Sequence, residues 1–321
     1  MKKNNFIGCL IGLAVGDAYG TTYEFYSREK MPKILPDEIT GGGVFKLKPG
    51  DWTDDTSMAL CLADSIIEKG LDAEDQMKKY IDWWKNGYNS VNGRCFDIGN
   101  STWNALDYYL RNKELIEPTS ASGGNGVLMR LAPIPMYTYS PYNCINTLTS
   151  CAFQSRITHP SSQSIECSMI MGAIISKIFD GERSKSKLLL FDSLLSDVEK
   201  DVYQKLYGEY GCSHNNGVEK IKNFGYADAI ASDISGSGYC VTTLEAALWA
   251  FYNTDNFKDG LKKVVSLGED TDTTGAVYGQ IAGAYYGLEQ ISWRNKITWA
   301  EKIYNIAEKL YELNLEKNER R

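Results

Sequence analysis

The chain has 321 residues, 43% of them hydrophobic and 23% charged, with a formal charge of −7 from 41 acidic against 34 basic side chains. That composition is ordinary for a globular protein, and the acidic balance excludes a broad nucleic-acid footprint. No run reaches the ~18 apolar residues of a membrane helix, and the presence of only two histidines, His159 and His214, argues against a His/Cys zinc site, so any metal is expected to be hard and oxygen-bound.

The length exceeds the ~100–200 residues of a typical domain, yet no Pro, Ser or charge run would serve as a linker, so one large domain is expected. Eight cysteines with no Cys-x-x-Cys pair read as reduced thiols of a cytoplasmic protein. Met1-Lys2-Lys3 precedes an apolar stretch in the manner of a signal peptide, but that stretch is studded with glycine and runs into Gly16-Asp17 without a cleavage site.

Phe6, Ile7, Leu10, Ile11, Ala14 and Val15 follow helical spacing, while Gly8, Gly12, Gly16 and Gly20 recur every fourth residue. Glycine costs a helix interior ~1 kcal/mol against alanine, so four in register imply that another backbone packs closely there. Glu24 then stands between Tyr23 and Phe25, where apolar surroundings would raise its pKa and keep it available as a proton carrier; the alternative is an ordinary surface acid. Gly41-Gly42-Gly43 is either a turn or the hinge of a lid.

Gly50-Asp51-Trp52-Thr53-Asp54-Asp55-Thr56 packs three carboxylates and two hydroxyls ahead of the helical run Met58, Ala59, Leu60, Leu62, Ala63, Ile66 and Ile67. Thr53 reads as its N-cap, with Asp54 and Asp55 in the first turn, where acids suit the helix dipole. Ala73, Met77, Tyr80, Ile81 and Trp84 mark the next helix. A loop from Gly93 through Asp97 to Thr102 leads into a helix carrying Trp103, Leu106 and Leu110, with Ser101 as N-cap or binding residue. Asp97 in that loop could simply cap its turn.

Ser122-Gly123-Gly124-Asn125-Gly126-Val127-Leu128-Met129-Arg130 is a glycine-rich loop whose N–H groups could converge on an anion, with Arg130 adding a bidentate fork; a plain helix connector is the alternative. Thr158-His159-Pro160 precedes an apolar helix through Ile165, Met169 and Ile174, and His159 is a binding or a turn residue. The polar stretch from about 182 to 233 reads as peripheral helices and loops. Ser235 to Tyr239 forms a small-residue loop ending in an aromatic that could stack on a base, ahead of a helix from Leu244 to Phe251.

Gly268-Glu269-Asp270-Thr271-Asp272-Thr273-Thr274-Gly275 repeats the acidic, hydroxyl-laced helix start, and Gly275, Gly279, Gly283 and Gly287 form a second glycine ridge. If the two acidic stretches meet, their carboxylates repel unless cations lie between them. Asp and Thr oxygens suit six-coordinate Mg²⁺ at ~2.0–2.1 Å, two such ions ~3.5–4 Å apart. A last helix through Ala300, Ile303, Ile306, Ala307 and Leu310 ends in a frayed, charged Glu316 to Arg321.

Taken together, Gly16-Asp17-Ala18, Thr53-Asp54-Asp55-Thr56, Asn125-Gly126 through Met129-Arg130, Thr158-His159-Pro160 and Asp270-Thr271-Asp272-Thr273-Thr274-Gly275 make the chain resemble the ADP-ribosylglycohydrolase family, from about Phe6 to Leu310. The resemblance implies a single all-α, multi-helix domain over 1–321 with a binuclear Mg²⁺ centre, Mn²⁺ being the other candidate ion. It assigns Thr53, Asp54, Asp55, Asp270, Asp272 and Thr273 as metal ligands, and Glu24, with Asp55 and Asp272, as catalytic. Asp97, Gly124, Asn125, Gly126, Arg130, His159 and Tyr239 are the expected substrate-binding residues. Glu269 departs from the pattern, standing where many members carry a small residue, and Val127 replaces a serine in the glycine loop.

The function that follows is Mg²⁺-dependent removal of ADP-ribose from modified arginine, with an O-glycosidic hydrolase or a non-catalytic ADP-ribose binder as alternatives. The expected partner is an ADP-ribosylated protein or a small ADP-ribose compound, with neither nucleic acid nor membrane involved.

Overall fold

The computed structural model describes residues 3–117, 123–212 and 214–320, so Met1, Lys2, Ser122 and Arg321 lie outside the described residues. The described chain is all-α. Its helices are α1 Lys3–Gly20, α2 Asp54–Lys69, α3 Ala73–Asn86, α4 Asn100–Asn112, α5 Gly126–Met129, α6 Pro133–Thr138, α7 Ile145–Thr158 and α8 Ser162–Phe179. They continue as α9 Lys185–Leu189, α10 Phe191–Leu194, α11 Asp197–Glu209, α12 Asn216–Lys222, α13 Cys240–Tyr252, α14 Phe257–Val265, α15 Thr271–Tyr286 and α16 Ala300–Glu319. Among the described residues only isolated bridges occur in place of strands, and no helix is long and apolar enough to cross a membrane.

The two glycine ridges are each other's partner. α1 and α15 run antiparallel, and a Cβ added at Gly8, Gly12 or Gly16 would meet the carbonyl oxygen of Gly283, Gly279 or Gly275 at 2.3, 2.1 and 2.0 Å. The fourth pairing departs from the expected symmetry: Gly20 lies against Thr271, whose hydroxyl donates to the Gly20 carbonyl at 2.8 Å, while Gly287 stands outside the seam as the C-cap of α15, at φ 84°. Both helices are enclosed nearly all round, so their sequences show no polar face, as expected of helices at the centre of a core.

Around this pair pack α2, α8, α13, α14 and α16. The polar stretch from 182 to 233 forms α9 to α12 and sends Leu188, Tyr203, Val218 and Ile221 into the same core. All eight cysteines are free, six of them buried. One expectation is corrected here. α16 continues to Glu319, so Glu316 to Glu319 are helical rather than frayed. Of the two readings of Gly41–Gly43, the structure shows the turn: Gly42 and Leu47 exchange backbone hydrogen bonds, and a Cβ on Gly43 would press on the Thr21 carbonyl oxygen at 2.4 Å.

Candidate metal and active site

The seam of glycines fixes what stands at one end of it. With Gly20 held on Thr271, the chain leaving α1 turns through a 3-10 segment, Thr21–Tyr23, beside the start of α15. There Phe25 donates its N–H to the Glu269 carbonyl and Glu269 its own to that of Tyr26, both at 2.7 Å. Glu24 is thereby held next to Asp270 and Asp272, although it lies nearly 250 residues earlier in the chain. α2 brings Asp54 and Asp55 to the same point.

How α2 is held there differs from expectation. Thr53 does occupy the N-cap position, but its hydroxyl does not cap the helix. The capping is done by Asp17 of α1, a fully buried carboxylate that accepts from Thr53 N (2.9 Å), Thr53 Oγ1 (3.0 Å), Thr56 N (3.0 Å) and Thr56 Oγ1 (2.6 Å). Burial raises the Asp17 pKa and these four donors oppose that rise. Sequence reasoning gave Asp17 no role because its partners lie about 36 residues away; the only signal was its place in Gly16-Asp17-Ala18.

At the floor of the site, one Thr53 hydroxyl faces three carboxylate oxygens: Asp17 Oδ1 at 3.0 Å, Asp272 Oδ2 at 3.2 Å and Asp55 Oδ2 at 3.4 Å. A hydroxyl has one hydrogen, so at most one of these contacts is its hydrogen bond, and the others bring acceptor against acceptor. Thr273 Oγ1 approaches Asp55 Oδ2 at 3.3 Å. Asp55 Oδ1 and Glu24 Oε2 are buried with no hydrogen-bond partner among the described residues. Buried carboxylates so arranged need protons or cations between them.

Oxygen-only donors of this kind fit a hard divalent cation. Consistent with that crowding, burial first and the neighbouring acids second raise the pKa values of Asp54, Asp55 and Asp272 well above the carboxylate range. Glu24 is raised by burial and then by Asp97 and Asp270.

Asp97 belongs to this cluster. Glu24, Asp97 and Asp272 each offer an oxygen, all within 4.8 Å of one another. Its backbone is left-handed, φ 60°, which turns the carboxyl away from the helix that follows and into the cleft. Nor is that helix capped by Ser101: Gly99 holds the N-cap position, and Ser101 lines the cavity from the first turn of α4.

The carboxylates open into a cavity of about 740 Å³, lined on one side by Phe25, Tyr26 and Ser27 and on the other by Ser101, Thr102, Gly124, Asn125, Gly126, His159, Ser237 and Gly238. Among the described residues, neither lysine nor arginine is in that lining. Asn125 commits its Nδ2 to Asp270 (2.8 Å) and Thr243 (3.0 Å), so it orients an acid as well as lining the cavity. Tyr239 stands on the far side of the Gly124 backbone, half exposed, its hydroxyl accepting from Asn215, and is not part of the lining. Glu269 is exposed at the rim, 3.4 Å from Ser235 Oγ.

Arg130 is the clearest correction. Instead of reaching the cavity as an anion fork, its guanidinium is fully enclosed, donates to Met58 Sδ (3.6 Å) and Thr158 Oγ1, and lies 4.8 Å from the centre of the Tyr80 ring. The residues after Asn125 form one short helix, α5, which turns the Arg130 side chain inward, and the loop pattern carries no sign of that direction.

A sequence model of the family described as ADP-ribosylglycohydrolase matches residues 1–320. The ADP-ribosylarginine hydrolase Tri1 of Serratia proteamaculans (strain 568) is 40% identical over 311 residues, 95% of this chain and 78% of that one. The ADP-ribosyl-[dinitrogen reductase] glycohydrolase of Rhodospirillum rubrum is 30% identical, covering 91% of this chain and 89% of its own. A solved structure of an ADP-ribosylglycohydrolase-related protein complex has a TM-score of 0.79 at 33% identity, covering 97% of this chain and 98% of that chain.

Proposed function

The chain belongs to the ADP-ribosylglycohydrolase family, and on that premise we propose that it hydrolyses the N-glycosidic bond between ADP-ribose and an arginine side chain. The observation that carries this reading is the meeting of Glu24, Asp97 and Asp272 at the end of a cavity whose described lining holds neither lysine nor arginine.

Thr53, Asp54, Asp55, Asp270, Asp272 and Thr273 would hold two Mg²⁺, or Mn²⁺ in their place. When bound, the ions neutralise the carboxylates and orient the ribose hydroxyls and a water for an oxocarbenium-like transition state. Glu24, beside Asp97 and Asp272, would supply the proton that the departing nitrogen needs at the glycosidic bond. Asp97 stands beside it and accepts N–H bonds from the guanidinium. Phe25 and Tyr26 line the same cavity. With no arginine available, the pyrophosphate oxygens meet Ser101, Thr102, Ser237, His159 and the backbone of Gly124 to Gly126.

The partner is an ADP-ribosylated protein or a small ADP-ribose compound, and the free, mostly buried thiols favour the reducing cytoplasm. Release of ADP-ribose from ADP-ribosyl-arginine and ADP-ribosyl-serine peptides, with Mg²⁺, Mn²⁺ or chelator, tests the reading. Cleavage of the arginine peptide that ceases with chelator is expected. Preference for the serine peptide would replace it with an O-glycosidic hydrolase, and ADP-ribose binding without release from either would make the protein a binder.

A further inference from the structure

Arg130 is a buried cation without an acid: fully enclosed, with no carboxylate partner among the described residues, and with its Nε unpaired. A lone charge at such a place is costly to keep. What it does contact is the Thr158 hydroxyl, which lies 2.9 Å from His159 Nδ1 on its other side.

We propose that Arg130 is a positioning residue, acting through Thr158 to fix His159 as the neutral Nε2–H tautomer and to present that N–H to the cavity. The direction of the chain follows from donor chemistry. A guanidinium has five N–H donors and no acceptor, so Thr158 Oγ1 must accept from Arg130. Among the described residues the hydroxyl hydrogen then has His159 Nδ1 as its remaining partner, and a hydrogen on Nδ1 would leave that buried O–H without an acceptor, so Nδ1 offers its lone pair. Burial, and then the Arg130 charge, hold the imidazole well below its usual range, so the ring is neutral and its one hydrogen resides on Nε2.

That nitrogen has no partner within the protein among the described residues, and it faces the glycine loop. A Cβ at Gly126 would lie 2.9 Å from Nε2 and one at Gly124 3.4 Å away, so these two glycines leave the N–H uncovered on a wall of the cavity. The consequence is a donor that cannot become an acceptor: it selects a ligand oxygen, and under the function proposed above that oxygen belongs to the pyrophosphate of ADP-ribose.

The test uses nitrogen NMR of the imidazole in an H214Q background, which leaves one histidine, combined with calorimetric titration of ADP-ribose. With Thr158 present the ring is expected to show hydrogen on Nε2. T158V removes the hydroxyl with little change of shape and should populate the Nδ1–H form and weaken ADP-ribose binding about tenfold, whereas T158S should restore both. Hydrogen on Nδ1 in the parent overturns the proposal, as does T158V that keeps a pure Nε2–H tautomer, even with a lowered melting temperature. Because the tautomer is read without ligand, failure of the parent to bind ADP-ribose would count against the proposed function and leave the relay standing or falling on its own spectrum.

Discussion

Gly16 and Gly275 touch backbone to backbone: a Cβ on Gly16 would sit 2.0 Å from the Gly275 carbonyl oxygen, and one on Gly275 2.6 Å from that of Gly16. Neither neighbour is a side chain that could swing aside. Gly16→Ala is therefore expected to destabilise the protein by about 3 kcal/mol in chemical denaturation and to lower activity with it, since the same seam aligns Glu24 with Asp272. Gly208→Ala, in open space on α11, should instead stabilise by ~0.5–1 kcal/mol. Equal effects at the two positions would remove the packing argument.

Removing a ligand oxygen should separate metal binding from folding. Asp55→Ala and Asp272→Ala are each expected to lose turnover at limiting Mg²⁺, because an octahedral ion is left short of a donor. In the parent, the melting temperature should rise with Mg²⁺ or Mn²⁺ and fall with chelator, through preferential binding to the folded state. Thermal scans indifferent to both additions would contradict the assignment.

Glu24→Gln keeps the shape of the side chain and removes the exchangeable acid. Turnover should drop ~10²-fold or more while the dissociation constant for ADP-ribose stays within a few-fold of the parent. Normal turnover in this variant would return Glu24 to a structural part.

Asp97→Asn tests the carboxyl that sequence alone left between turn and substrate. Since the group points into the cleft, the variant should lower kcat/KM for ADP-ribosyl-arginine by ~10–100-fold and, in chelator above the pKa of about 8 to which burial and Asp270 raise Asp97, melt higher than the parent because one repelling charge is gone. A turn cap would give the opposite sign of melting shift with unchanged kinetics.

Away from the site, Glu199 gives a prediction in pH. Burial pushes its carboxyl up, but the Cys144 and Ser196 N–H groups (2.7 and 2.8 Å) and Lys177 (3.0 Å) outweigh burial and bring its pKa to about 2. A depressed carboxylate stabilises above the unfolded value near ~4.3 and loses that contribution as pH falls towards the folded one. Glu199→Gln should cost ~2–3 kcal/mol at pH 7, and the gap from the parent should close between about pH 4 and 2. A gap of constant size across that window would show that the charge is not what stabilises.

What the sequence made legible was whatever repeats locally. Glycines every fourth residue and acids ahead of an apolar run both announce themselves within one helix, so both ridges and both acidic stretches could be read without coordinates. Relations across the chain could not. That the ridges mate with each other, that Asp17 caps a helix about 36 residues later, and that Arg130 turns into the core all depend on which way a helix leaves its loop. Asp97 is an intermediate case: its residue type suggested chemistry, but only a left-handed backbone, uncommon for a residue with a Cβ, aims it at Glu24.

The mating of α1 with α15 also sets a timetable. The first helix made is among the last to find its partner, because Gly8 and Gly283 are separated by almost the whole chain, and closing so long a loop is slow. Until roughly residue 286 has left the ribosome, α1 carries a bare stripe of backbone with nothing to cover it, and Glu24 and Asp55 have no Asp272 to face. A chain that stops before α15 lacks Asp272 and Thr273 as well as the second ridge, and is expected to be inactive.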